Sequence, residues 1–178
     1  MRRAELILSV FALAVATAAS AQIVAPQRKP GMWEMNMVNS TVKGMAIKSQ
    51  MCTDATVEKR FSAIGGGQGP ENCSTNNLRK TPTGYAFESV CKSPRGVSTT
   101  SGVVTGDFQT NYKIEMTSKM TPTPPGAPPV MNSTVSAKWL GPCPAGRKPG
   151  DMVMPNGMVM NMMALPANGP GAGPERRR

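Results

Sequence analysis

Sulfur-bearing side chains give this sequence its most distinctive chemical potential. The chain has 4 cysteines, 15 methionines and no histidine. Six methionines lie close together near its C-terminal end: Met152, Met154, Met158, Met160, Met162 and Met163. Thioethers are soft ligands that suit Cu(I), so these six residues form a candidate Cu(I) site. The competing interpretation is that they fill space in a core or form an adaptable surface for a partner.

The four cysteines indicate two disulfides rather than a zinc site. Cys52, Cys73, Cys91 and Cys143 include no C-x-x-C pair, and structural zinc sites usually combine such pairs, often with histidine. An even number of cysteines in a small exported chain is typical of a disulfide framework. Four cysteines allow three pairings. We favour Cys52 with Cys73 and Cys91 with Cys143, because neighbours along the chain close shorter loops.

The composition argues against the common catalytic arrangements. Without histidine the chain can build neither a Ser-His-Asp triad nor a Cys-His nucleophile. A carboxylate pair such as Glu88 and Glu115 would still suit glycoside hydrolysis, but strand alternation places both opposite the apolar faces. We therefore predict a protein that is not an enzyme, with no cofactor apart from Cu(I) if the methionines bind it.

The first residues of the chain predict export. Arg2-Arg3 precedes an apolar run over Leu6–Ala18, and Ala19-Ser20-Ala21 fits the small-x-small cleavage pattern. These are the features of a secretory signal peptide. The run of about 13 residues is shorter than the roughly 20 that span a membrane. We expect cleavage between Ala21 and Gln22, a periplasmic or secreted location and no membrane-spanning segment.

The chain is basic, with a formal net charge of +10 at pH 7. Its cations are scattered, and the dense run is Arg176-Arg177-Arg178. No tract interleaves them with aromatic residues as nucleic-acid-binding segments do, so we expect no nucleic-acid partner. A solvated basic surface, with weak contact to anionic envelope surfaces, fits this pattern.

Alternating apolar and polar residues predict a mainly β protein. Trp33, Met35 and Met37 alternate with polar residues, which is the period of a half-buried strand. After the second such run, Thr53 as a cap and an apolar stripe of helical period predict one short helix that ends at Gly65. We predict a single antiparallel sheet, curled or open and barrel-like, with this helix inserted after the second strand.

One face of the predicted sheet is apolar and should form the core. Its large members are Trp33, Tyr85, Phe87, Phe108, Tyr112, Ile114 and Trp139, with Phe61 of the helix against this face or its edge. Changes in composition divide the chain into four parts. They are a signal peptide at 1–21, a flexible lead at 22–29, a disulfide-clipped β domain at 30–143 and a disordered, basic tail rich in Met, Pro and Gly at 144–178.

Several short motifs resemble those of a known family. Pro30-Gly31-Met32-Trp33-Glu34 opens the first strand, Met51-Cys52-Thr53-Asp54 leads into the helix, and a segment from Ala137 to Cys143 closes the last strand. Their order resembles that of exported bacterial proteins grouped as domain of unknown function 3617. The typical opening there is Pro-Gly-Leu-Trp-Glu, from which Met32 departs. The resemblance implies a periplasmic, disulfide-bonded β domain and no particular activity.

Together these features predict a periplasmic domain that binds an apolar ligand or a protein partner of the cell envelope. The alternative is a periplasmic Cu(I)-binding protein that uses the methionine-rich tail. The two hypotheses differ in whether the tail methionines are ligands or packing residues.

Overall fold

A computed structural model of the chain describes residues 23–40, 46–62, 64, 73–93 and 95–165. The predicted signal peptide and the basic C-terminal run lie outside these residues. Within them, no helix has the length and apolar character needed to span a membrane.

The described residues form one open antiparallel sheet of nine strands with one short α-helix. The strands are β1 Gly31–Asn39, β2 Ala46–Thr53, β3 Cys73–Thr81, β4 Gly84–Ser93, β5 Gly96–Gly106, β6 Asn111–Thr121, β7 Met131–Gly141, β8 Asp151–Val153 and β9 Val159–Asn161, and the helix α1 is Ala55–Arg60. Their order across the sheet is β3-β4-β5-β6-β7-β1-β2-β8-β9. The predicted fold, mainly β with one helix after the second strand, is confirmed.

The first strand lies inside the sheet rather than at its edge. Strands β3 to β7 form a meander, and β7 then pairs with β1, which also pairs with β2. In this register Trp33 stands opposite Met51 on one side and Trp139 on the other. The return of β7 to β1 therefore brings the two ends of the predicted β domain together.

The apolar face of the sheet carries the core. Its buried residues are Trp33, Ile64, Phe87, Val104, Phe108, Tyr112, Ile114, Val135 and Ala137, with Tyr85 and Trp139 among those packed against them. The predicted sheet residues of this face are thus confirmed. Ile64, beyond the end of the helix, also belongs to this core, whereas Phe61 is half-buried at the C-terminal end of the helix and borders the same face near Tyr112 and Ile114.

The helix begins at a different cap from the one predicted. The carboxylate of Asp54 accepts hydrogen bonds from the backbone N–H groups of Thr56 and Val57, both at 2.9 Å. Thr53 is instead the last residue of β2, and its hydroxyl donates to the carbonyl of Gly31 at 3.2 Å. Strand pairing therefore holds Thr53 in the sheet and leaves the capping position to the aspartate, a preferred N-cap residue.

Two disulfides are present, but the predicted pairing is wrong. Cys52 joins Cys143, and Cys73 joins Cys91. Cys73 and Cys91 stand opposite each other on β3 and β4. Cys143 follows β7, and β7 and β2 flank the same strand. Neighbourhood in the sheet, rather than loop length along the chain, decides which thiols meet.

The chain remains ordered beyond Cys143. β8 pairs with β2, β9 pairs with β8, and a 3-10 turn follows at Met162–Ala164. The backbone N–H of Gly150 donates to the carbonyl of Cys52 at 2.8 Å. The prediction of a disordered tail is therefore wrong for residues 144–165, whereas residues 166–178 lie outside the described part of the chain.

The predicted flexible lead is also too long. The backbone N–H of Lys29 donates to the carbonyl of Phe108 at 2.8 Å, and the indole N–H of Trp33 donates to the carbonyl of Lys29 at 2.8 Å. The ammonium of Lys29 lies 3.7 Å from the centre of the Trp139 ring. Arg28 is buried at 4% exposure. Both residues belong to the folded domain.

Candidate functional site

A cavity of about 340 Å³ lies against the apolar face of β1, β2, β6 and β7. Seven methionines line it: Met35, Met37, Met51, Met116, Met152, Met154 and Met162. Ile47, Ile114 and Val135 add further apolar wall. Pockets for small molecules commonly measure about 300–1,000 Å³ and are mostly apolar with a few polar groups, so this cavity has the size and character of a ligand site.

The register of the sheet explains why these side chains share one wall. One row across the sheet is Ser49, Met35, Ala137 and Tyr112, and the next is Ile47, Met37, Val135 and Ile114. Side chains that stand opposite each other on antiparallel strands lie on the same face. The alternation that predicted an apolar face for Met35 and Met37 therefore also places them in the cavity wall.

The segment after Cys143 supplies the rest of the wall. Met152 of β8 stands opposite Met51 of β2, and Met154 and Met162 follow it along the chain. The guanidinium of Arg60, at the end of α1, donates to the carbonyls of Met163 and Leu165 at 2.7 and 2.5 Å. This helix therefore holds the segment against the cavity.

The six methionines of the predicted Cu(I) site fall into two groups. Met152, Met154 and Met162 line the cavity, whereas Met158, Met160 and Met163 are not part of its wall. Met158 is 54% exposed. Four methionines that the sequence did not connect with the tail, from β1, β2 and β6, face the same space. Among the described residues, no group of three or more His, Cys, Asp and Glu side chains could hold a metal.

One end of the cavity is polar because Arg28 reaches it. Its Nε donates to Oε1 of Glu58 at 2.5 Å, with only 2% and 3% of the two side chains exposed. Its Nη2 donates to the carbonyl of Phe61 at 2.9 Å, and its Nη1 lies 3.4 Å from the hydroxyl of Tyr112. Arg28 and Tyr112 both line the cavity. A buried cation is thus held by a buried carboxylate at the wall.

Burial also fixes the protonation of the phenol at this end. Removal from water raises the pKa of Tyr112 above its ordinary value of 10.0, and this outweighs the opposite effect of the Arg28 guanidinium. The phenol therefore stays uncharged at neutral pH and keeps its proton available for a hydrogen bond.

Sequence reasoning did not identify Arg28 as a site residue. A single arginine ahead of the first strand carries no periodic pattern, and its partner Glu58 is 30 positions away. The sequence did offer one indication, since Glu58 directly follows Val57 on the helix. An acid beside the apolar stripe of a helix must find a partner when that stripe is buried.

The opposite face of the sheet has a different character. A hollow of about 510 Å³ there includes Arg79, Glu88 and Glu115 in its lining. Glu88 lies 3.8 Å from Arg79, and Glu115 lies 2.8 Å from Lys113, with the two carboxylate side chains 54% and 53% exposed. The prediction that both acids lie opposite the apolar face is confirmed. They are solvated strand charges, each beside its own cation.

Comparison with known protein families assigns the chain to one of them. The family described as protein of unknown function (DUF3617) matches residues 28–143, which is more than half of the sequence. The chain belongs to this family. No curated protein and no solved structure matches it. The matched region begins at the buried Arg28 and ends at the disulfide-bonded Cys143. Met152, Met154 and Met162, which complete the cavity wall, therefore lie beyond it.

Proposed function

We propose that the protein binds an apolar small molecule or acyl chain in the methionine-lined cavity. The observation that carries this proposal is the composition of the wall, in which seven of the lining side chains are methionines. Methionine is unbranched and polarizable, so such a wall adapts to apolar ligands of different shapes. The two disulfides support a location in an oxidising compartment such as the periplasm.

The cavity has a natural entrance. Met37 and Ile47 stand opposite each other on β1 and β2, both line the cavity, and they are 39% and 42% exposed. The buried Arg28 marks the other end. A concave site of this size favours a small ligand over the protein partner that the sequence left open, because stable protein interfaces bury about 800 Å² on each partner.

A fluorescence titration tests the proposal. N-phenyl-1-naphthylamine, an uncharged apolar fluorophore, should bind the full disulfide-bonded chain saturably with enhanced emission. Met37→Trp should weaken this binding at least about tenfold, the effect of losing about 1.4 kcal/mol of contact, because the larger ring occupies the entrance. Met131→Trp is the matched control, since Met131 is 38% exposed and is not part of the cavity wall.

Two results would count against a cavity site. One is the lack of saturable binding by the unmodified protein. The other is equal weakening by Met37→Trp and Met131→Trp, which would locate the fluorophore on the general surface.

A second candidate function is Cu(I) binding, and one observation favours it. Met152 stands opposite Met51, and both face the cavity together with Met154 and Met162. Thioether ligands from two parts of the chain thus converge on one space, in a chain whose chemistry suits Cu(I) without histidine.

A triple substitution separates this candidate from the first. In competition with a Cu(I) chelator, the variant with leucine at Met152, Met154 and Met162 should lose the metal. The variant with leucine at Met158, Met160 and Met163 should keep it. Equal retention by both variants would end the copper hypothesis. Equal loss would show that the metal is not confined to the cavity methionines and would contradict a site there.

A further inference from the structure

The polar end of the cavity points to a preference for one kind of ligand. We propose that the site selects amphiphiles whose head is an uncharged oxygen acceptor, such as an alcohol, ketone or ester. The inference rests on the proposed function, because it requires that the cavity is a ligand site. It adds the chemistry of the head group and the direction in which the chain lies.

Two donors at the polar end are available to such a head. The hydroxyl of Tyr112 lies 3.4 Å from Nη1 of Arg28, at the long limit of a hydrogen bond. Within the described part of the chain, the phenol proton itself has no acceptor. Nε and Nη2 of Arg28 are held by Glu58 and by the carbonyl of Phe61, so Nη1 is the guanidinium nitrogen best placed to donate to a ligand. An acceptor oxygen on the cavity side, within hydrogen-bond distance of both the Tyr112 hydroxyl and Nη1, would satisfy both groups.

The charge balance of this end favours an uncharged head. Arg28 is the charged residue of the wall, and Glu58 already neutralises it. A carboxylate head would leave one unpaired negative charge in a buried site, which costs free energy. An ammonium head would place a second positive charge beside the guanidinium, and its N–H donors would face the donors of Arg28 and Tyr112. A neutral acceptor incurs neither cost.

The chain of the ligand would lie along β6. Tyr112, Ile114 and Met116 alternate on the cavity side of this strand. Tyr112 and Met116 are four residues apart, a span of about 13 Å at the usual rise of a strand. With the head at Tyr112, an alkyl chain would pass Met35 and Ile114 toward the entrance at Met37.

Displacement of N-phenyl-1-naphthylamine by three octyl compounds at pH 7.5 tests the head preference. We use 1-octanol, octanoate and octylammonium, which share a chain and differ in charge. The expected result is that 1-octanol displaces the fluorophore at a concentration about tenfold lower than either charged compound, as for a difference of about 1.4 kcal/mol.

A pair of variants then locates the head. In Tyr112→Phe, the affinity for 1-octanol relative to that for the fluorophore should fall about fivefold, the effect of losing one hydrogen bond. In Tyr85→Phe the ratio should not change. Tyr85 packs against the same core but is not in the cavity wall, so this variant controls for removal of a phenol hydroxyl from the fold.

The outcomes distinguish the two levels of the proposal. The head preference would be overturned by stronger displacement by octanoate, by equal displacement by all three compounds, or by an unchanged ratio in Tyr112→Phe. In each of these cases, saturable fluorophore binding would still support the cavity as a ligand site. If neither the fluorophore nor any octyl compound binds, the proposed function falls and the head preference falls with it.

Discussion

At one end of the apolar face, rigid side chains fill the space; at the other, methionines surround a cavity. In the packed region, which comprises Trp33, Phe87, Val104, Phe108 and Tyr112, the Phe108 and Tyr112 rings stack with centroids 5.4 Å apart. The Trp33 ring lies 5.3 Å from that of Tyr112. The cavity region comprises the seven lining methionines. Tyr112 borders both regions.

The two regions are built by different means. In the packed region the backbone makes room for particular rings: a Cβ at Gly102 would lie 2.8 Å from the Phe87 ring, and Phe108 has a left-handed backbone with φ of 58°. In the cavity region flexible side chains surround a space without filling it. The comparison indicates that the first region provides stability, whereas the second leaves the space that the proposed ligand would occupy.

The largest expected difference concerns the disulfides, one in each part of the sheet. Cys52–Cys143 ties the cavity region to the segment after β7, with a sequence separation of 91, whereas Cys73–Cys91 spans 18 at the far edge. On the loop-entropy account, replacing each pair with alanines should cost about 5 and about 3 kcal/mol respectively. Urea unfolding measures both costs. The opposite order would mean that native contacts, rather than the closed loop, dominate.

The next comparison is between Trp33 of the packed region and Met37 of the cavity region. Trp33 is 0% exposed and Met37 is 39% exposed. Trp33→Ala should destabilise the fold by about 3–5 kcal/mol, and Met37→Ala should cost about 1 kcal/mol or less because its side chain already borders water and the cavity. Thermal and urea unfolding report both values. Similar costs for the two variants would show that the regions are packed alike.

A smaller effect is expected where the helix holds the cavity wall. Arg60→Ala removes the two hydrogen bonds to the carbonyls of Met163 and Leu165. Bonds from a charged donor contribute about 1.5–3 kcal/mol when buried, and since Arg60 is partly exposed we expect a loss of about 1–3 kcal/mol. Lys59→Ala, at the exposed neighbouring position, is the control. If both variants unfold alike, the helix does not hold this segment.

The smallest effect concerns the turn that carries Phe108 into the packed region. Asp107 accepts a hydrogen bond from the Thr110 hydroxyl, and further bonds from backbone N–H groups of the turn also hold its pKa well below the ordinary value of 3.8. Because the folded pKa is the lower one, its contribution to stability is present above pH 3.8 and is lost as pH falls toward the folded pKa.

Unfolding of the unmodified protein and of Asp107→Asn at a series of pH values isolates this contribution. The unmodified protein should be the more stable at neutral pH, and the difference should shrink as the solution is acidified. Asp54 and Asp151 also have lowered pKa values, but they are common to both proteins and cancel in the difference. A difference that is constant with pH would show that the Asp107 charge is not involved.

Side-chain alternation was sufficient to predict the apolar face and the longer strands that carry it. In a strand the direction of a side chain depends only on parity, so Trp33, Met35 and Met37 could be assigned to one face without knowledge of the neighbouring strands. The helix after β2 was predictable for a similar reason. Its exact cap was not, because the choice between Thr53 and Asp54 depends on pairing with β1.

The parts that could not be predicted depend on contacts between distant segments. Cys52 and Cys143 meet only because β7 returns beside β1. β8 and β9 have three residues each, too few to show a period, so a docked methionine segment has the same sequence pattern as an unstructured one. The family resemblance, which the match to residues 28–143 confirms, implied a disulfide-bonded β domain but no cavity.

The central claim, that the cavity region is a ligand site, is tested most directly by NMR of the methionine methyl groups. The full chain is labelled with [methyl-¹³C]methionine, assigned by single Met→Leu variants and titrated with N-phenyl-1-naphthylamine. We predict saturable shifts, caused by the naphthyl ring current, for the methyl groups of Met35, Met37, Met51, Met116, Met152, Met154 and Met162. Met131 and the exposed Met158 should not shift. Shifts confined to Met131 and Met158, with the cavity methionines unchanged, would contradict the account.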